Sequence, residues 1–323
     1  MIGMKSQILT ATLLTAFSGS LSAADPQLLN LVMPDAKVLA GINVQQAKGT
    51  QFGQWVLNQL QTHDAQMQKL VALTGFDPRR DVGELLVASD GVAGSQTGLA
   101  LAKGAFDVAK ITAAATVAGV VTEVYNGFTI LEEPKQHLVG IAFLDATKVA
   151  AGDVASVKGA IDRLKTPQPL PAAVAVKVNQ WSISEDAWAI TTVPPDSLVP
   201  AGNAAAAQNP LFNAGKSVLA AAGGVKFGAL VVFNGEAQCD TAQNAKTLGD
   251  VVQLLINLAQ MQANLDPTAA ALIKSVTITT SGNVLKIQAS LPGDVFQQLL
   301  QQHPHAHSRN GTSGTGLGLQ RKR

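Results

Sequence analysis

The chain has 323 residues and a formal net charge of +1, and 47% of it is hydrophobic while only 4% is aromatic. Lys5, Arg309, Arg321, Lys322 and Arg323 place positive charge at the two ends, so residues 25–302 form a mildly acidic body with scattered lysines, which excludes an electrostatic footprint for nucleic acid. The single cysteine, Cys239, excludes an internal disulfide, so stability must come from a core of Ala, Val, Leu and Ile.

Residues 1–24 read as a secretory signal peptide. Lys5 supplies the positive n-region, residues 8–17 a short apolar run, and Ser22 and Ala24 the small residues of a cleavage site. The apolar run is too short for a bilayer span, which needs about 20 residues, although an uncleaved anchor is the alternative. Cleavage near Ala24 implies an exported, periplasmic or extracellular chain starting at Asp25, with no membrane-spanning segment in the mature part. Removing 24 residues from 323 leaves 299, enough for about two domains.

The first lobe is expected over 25–166. It opens with a strand at 37–44 and helices at 52–61 and 65–75, the second closing on Gly75. Strands at 83–91 and 97–104 and an Ala-rich helix over 106–118 follow. Asn126-Gly127 then marks a hairpin within 121–133. Strands at 137–146 and 147–153 lead to an amphipathic helix over 154–165, with Val154, Val157, Ile161 and Leu164 on one face.

Three prolines make 167–174 a seam. The second lobe, 175–302, is expected to begin with strands around a Glu185-Asp186 turn in 181–193. A helix over 209–224 and a strand over 225–236 come next. The longest helix, 248–265, shows an apolar stripe of Val251, Leu254, Leu255, Leu258 and Met261. A hairpin over 275–292 turns at Ser281-Gly282-Asn283, and a helix over 294–302 closes the lobe. Residues 303–323 read as a disordered, His- and Gly-rich basic tail.

Each lobe ends as strand, Gly-Asp-Val, helix, at Gly152-Asp153-Val154 and Gly293-Asp294-Val295. That echo, with the shared element order, points to internal duplication. Hairpins separated by helices predict an α+β fold: two tandem lobes of antiparallel sheet with helices packed on one face.

The segments 75–89, 101–111, 124–131, 142–164 and 277–292 resemble a group of uncharacterised secreted bacterial proteins. The resemblance covers most of the chain after residue 24. It implies export and an α+β architecture and carries no catalytic residue across.

Candidate chemistry is sparse. GTGLGL at 314–319 looks like a phosphate loop, but no helix follows to aim backbone N–H groups at a phosphate. His303, His305 and His307 alternate at a spacing that can share Zn²⁺, Ni²⁺ or Cu²⁺, or else lie in a solvated segment of low affinity. Arg79 and Arg80 offer two forks for a carboxylate or phosphate ligand, or pair with Asp77 and Asp81 beside them. Trp55 is expected in the core, whereas Trp181 and Trp188, if exposed near the seam, would mark a binding surface.

Only His63 and His137 could serve a Ser-His-Asp unit in the body, and no nucleophile elbow, Ser-x-x-Lys or His-Glu-x-x-His occurs. No catalytic residue and no cofactor is assigned. The expected function is a binding or structural module at the cell envelope, its partner a small apolar ligand or an envelope protein. A secreted or periplasmic hydrolase without a recognisable motif is the alternative.

Overall fold

The computed structural model describes residues 24–62, 72, 74–132, 138–194, 210–261 and 267–302. The first half begins with α1 (Pro26–Leu29), β1 (Val38–Asn43), α2 (Val44–Lys48), α3 (Gln51–Thr62) and α4 (Pro78–Asp81). It continues through β2 (Val82–Ser89), β3 (Gly98–Gly104), α5 (Val108–Val117), β4 (Val121–Tyr125), β5 (Phe128–Glu132), β6 (Val139–Phe143), β7 (Lys148–Asp153) and α6 (Val154–Lys165). Next come α7 (Ala172–Ser184), β8 (Ala187–Thr191), α8 (Pro210–Gly215), β9 (Val218–Lys226) and β10 (Leu230–Cys239). The chain then forms α9 (Ala242–Met261), α10 (Pro267–Ser275), β11 (Thr277–Ser281), β12 (Val284–Pro292) and α11 (Gly293–Gln302).

Local chemistry explains most boundaries. Aspartates cap helix starts: Asp107 Oδ1 accepts the Lys110 N–H at 3.1 Å, and Asp153 Oδ1 accepts the Ser156 N–H at 2.9 Å. The β4–β5 turn places Asn126 at φ 50° and Gly127 at φ 89°. That left-handed pair matches the twist of the two flanking strands, as the Asn-Gly sequence predicts.

The fold is α+β. Twelve strands form one antiparallel sheet in the order β11-β12-β10-β9-β8-β1-β2-β3-β7-β6-β5-β4. The strands expected in two lobes thus share one sheet, joined where β1 pairs with β8 through Val38↔Thr191 to Ile42↔Ala187. Read outward from that junction, the order is β1-β2-β3-β7-β6 followed by β5-β4 in one direction and β8-β9-β10-β12-β11 in the other, so the two sides correspond over five strands.

Alternation along the strands defines two faces. The front face presents Leu39, Leu86, Leu101, Ile130, Ala150, Trp188 and Ile190, and the largest core forms there. Leu28 of α1, Val157 and Ile161 of α6, and Val174 and Val178 of α7 close that core. On the back face Phe52 of α3 and Phe296 of α11 join Val225, Val231 and Phe233 in a second core. Ala245 and Leu248 of α9 cover Cys239 and Leu285 in a third. Helices α1, α6 and α7 therefore cover the front, and α3, α9 and α11 the back.

Four expectations are corrected. Residues 181–184 are the last turn of α7, not a strand, because the helix starts at Ala172 within the expected seam. Pro171 makes this start possible: as N-cap it needs no N–H, and its carbonyl accepts from Val174 and Ala175. The helix expected over 209–224 ends at Gly215, and 218–224 belongs to β9. There the small residues sit between β8 and β10 in the sheet, and pairing on both sides overrides the helix preference of alanine. The strand expected over 225–236 is divided by a turn at 227–229 between β9 and β10.

The fourth concerns α9. Its buried positions are Ala245, Leu248 and Gly249. Beyond the half-buried Val251, the apolar stripe points outward: Leu254 is 55% exposed and Met261 78%, with Leu255 and Leu258 also exposed. The apolar period was read correctly, but only the first turns of the helix lie on the sheet. The expected helix at 65–75 falls largely outside the described residues.

Candidate functional site

Over β10, β12 and β11 the front face carries polar residues in register. Asn234 stands opposite Gln288, which stands opposite Thr277; Glu236 stands opposite Lys286, which stands opposite Thr279. The C-terminal turn of α7 forms the other wall, with Gln180, Trp181, Ser184 and Glu185. Between them lies a groove of about 350 Å³, near the lower end of the range for small-molecule sites.

Hydrogen bonds fix its polar lining. Gln288 Nε2 donates to Asn234 Oδ1 at 2.9 Å, and Asn234 Nδ2 donates to Glu185 Oε1 at 2.9 Å. Lys177 of α7 pairs with Glu236 at the groove wall. Two buried atoms in this lining have no partner, Trp181 Nε1 and Glu185 Oε2. Trp181 is 6% exposed and Glu185 4%. A buried donor without an acceptor costs about 1–3 kcal/mol, so the indole leaves a polar group unsatisfied beside the groove.

Trp181 and Trp188 were expected to matter only if exposed; both are buried in the front core. Trp181 still borders the groove, whereas the Trp188 ring lies over Gly41, where an added Cβ would come within 2.7 Å of it. Trp188 is therefore core.

The Arg79-Arg80 loop is self-contained. Arg79 Nη2 lies 2.9 Å from Asp77 Oδ2, and its Nη1 donates to Asn58 Oδ1 at 3.0 Å. Arg80 Nε and Nη2 grip Asp81 at 2.6 and 2.7 Å, and Nη2 also donates to the Gly75 carbonyl at 2.7 Å. The hydrogen bonds from Arg79 and Arg80 hold the Asp77 and Asp81 carboxyls below their ordinary range. Both forks are engaged within the protein, by the neighbouring aspartates and by Asn58 of α3, rather than aimed at a common ligand.

Cys239 is fully buried beneath α9, where a thiol is a packing group. His63 and His137, the two histidines open to a Ser-His-Asp unit, lie outside the described residues, as do His303, His305 and His307. Among the described residues no group of three or more His, Cys, Asp or Glu could hold a metal ion, and no helix is long and apolar enough to cross a membrane.

Sequence reasoning singled out Trp181 but missed Asn234, Glu236, Lys286 and Gln288. The available signal was the alternation in β10 and β12, which places these polar residues on one face. Recognising the groove also required knowing that β12 pairs with β10 and that α7 lies beside them.

No family model matches the sequence, and no curated protein matches it. Among solved structures, crystal form I of TP0453 superposes with a TM-score of 0.53 at 11% identity, covering 87% of this chain and 98% of that one. Crystal form IV of TP0453 gives a TM-score of 0.50 at 12% identity, covering 88% and 99%. At such identity the likeness concerns the fold alone, and in fold this chain is similar to TP0453 along most of its length.

Proposed function

We propose that this chain is an exported binding module of the cell envelope that takes a small polar, hydroxyl-bearing ligand in the groove between α7 and β10-β12-β11. One observation carries the reading: Trp181 borders the groove, and its buried indole N–H has no acceptor. A ligand oxygen placed there satisfies it, while the amides of Asn234 and Gln288 and the hydroxyls of Thr277 and Thr279 supply further donors and acceptors. The lining redirects the expected ligand from apolar to polar. The leader pattern in residues 1–24 supports export, and the matching strand orders on either side of the β1–β8 junction support duplication. Binding, not turnover, suits a wall whose Glu236 is tied to Lys177.

The test is native mass spectrometry of the mature protein with mono- and disaccharides, with Trp181→Phe as the informative variant. Binding should weaken about 10-fold when the N–H alone is removed and remain unchanged in Thr247→Ala on α9. Absence of any adduct, or equal binding by Trp181→Phe, would count against the groove.

A second reading, contact with an envelope protein through α9, is favoured by the outward Leu254, Leu255, Leu258 and Met261. Crosslinking in cells should then lose its adduct in Leu254→Gln/Leu258→Gln while sugar binding persists.

A further inference from the structure

Where Ala24 meets Asp25, an otherwise short contact takes on a second meaning. The Asp25 backbone N donates to Glu84 Oε1 at 2.9 Å. Glu84 is half-buried on the front face of β2, and burial pushes its carboxyl up, against the opposing hydrogen bond from Asp25 N. Lys103, the cation nearest to it, is held by the Asp25 carboxylate.

Ala24, 7% exposed, lies against the front core. It also lines a small enclosed cavity of about 10 Å³ shared with Glu84, Glu185, Asp186 and Trp188. Of the carboxylates there, Asp186 is paired with Lys226, while Glu185 Oε2 has no partner. Asp25, Glu84, Glu185 and Asp186 thus face three lysines, Lys103, Lys226 and Lys148, the last also paired with Asp145, and the acids outnumber the cations.

We infer that Glu84, with Glu185 across the cavity, is the built-in receptor for the α-ammonium group that leader removal creates on Asp25. The inference rests on the cleavage that the export reading expects. Water adds across the Ala24–Asp25 peptide bond, leaving a carboxylate on the departing leader and an amine on Asp25 that takes up a proton. The new group inherits the hydrogen bond already made by the Asp25 N–H. The donor then carries a full charge as well as the acceptor, so the hydrogen bond becomes an ion pair. Loss of Ala24 enlarges the cavity and gives the remaining N–H groups access toward Glu185. Cleavage thereby converts a penalised buried carboxyl into half of an ion pair.

The experiment takes the full chain through export, defines its first residue by N-terminal sequencing, and follows the α-amino group by NMR after ¹³C reductive methylation. The expected result is a chain beginning at Asp25 whose α-amino group titrates above the ordinary range of about 7.7–8.0. Glu84→Gln should return it to that range and lower Tm by about 3 °C. In a chain that retains Ala24, the same substitution should leave Tm unchanged or raise it, because only a buried carboxyl is removed. A mature chain that begins elsewhere overturns both the cleavage site and this inference. A chain that begins at Asp25 but titrates in the ordinary range, with Glu84→Gln silent in both forms, overturns this inference alone.

Discussion

Asp186 and Lys226 meet at the start of β8: Asp186 Oδ1 lies 2.7 Å from Lys226 Nζ, with the aspartate side chain 4% exposed and the lysine 42%. Asp186 Oδ2 accepts the Phe227 N–H at 2.6 Å. One carboxylate therefore ties the end of β9 and the following turn to β8. Asp186→Ala leaves the Phe227 N–H buried and unpaired, and should cost about 3 kcal/mol in a urea titration. Lys226→Ala should cost less than half of that, because the ammonium is partly solvated.

Acid should weaken the fold partly through Asp145. Burial alone pushes this carboxyl up, but hydrogen bonds from Lys148, from the Thr147 hydroxyl and from the Thr147 N–H outweigh it and bring it from 3.8 to about 2. A carboxyl lowered by folding stabilises fully above its unfolded value and loses that contribution as the pH falls toward the folded one. Asp145→Asn should therefore have a lower urea midpoint at pH 7, and the gap from wild type should close between pH 4 and pH 2.

The two Gly-Asp-Val sites should not respond alike. Asp153 caps α6 through the Ser156 N–H and also accepts the Gly98 N–H of β3 from Oδ2 at 2.9 Å. Asp294 lies inside the first turn of α11, after its first residue Gly293. Asp153→Ala should cost about 2 kcal/mol, and Asp294→Ala within about 0.5 kcal/mol. Equal losses in chemical denaturation would show that the second site makes a cap of the same kind.

Along α9, Leu248 and Leu258 separate burial from exposure. Leu248→Ala should cost about 2–4 kcal/mol by opening the core over Leu285. Leu258→Gln, at a position 49% exposed, should fall within about 0.5 kcal/mol in the same thermal or urea measurement.

These contrasts indicate how far the sequence carries. Asn126-Gly127 and Ser281-Gly282-Asn283 encode their hairpins locally, so both turns were legible, as was the buried face of α6 at Val157 and Ile161. Residues 218–224 were read as helix because alanine favours helix in isolation, whereas their state is set by pairing with β8 on one side and β10 on the other. The stripe on α9 shows the other limit: periodicity identifies an apolar face but not what covers it. The groove was illegible for a related reason, since Trp181, Asn234 and Gln288 come from elements whose proximity is created only by the sheet order.

The β1–β8 junction has a consequence for synthesis. Its paired residues, Val38 to Ile42 and Ala187 to Thr191, are roughly 150 positions apart, so closing this contact is slow relative to forming the local hairpins. Until Thr191 has emerged from the ribosome, one flank of β1 offers bare peptide groups to any passing strand. The nascent N-terminal half therefore needs protection from a chaperone, or rapid emergence of the remainder, to avoid pairing with a neighbouring chain.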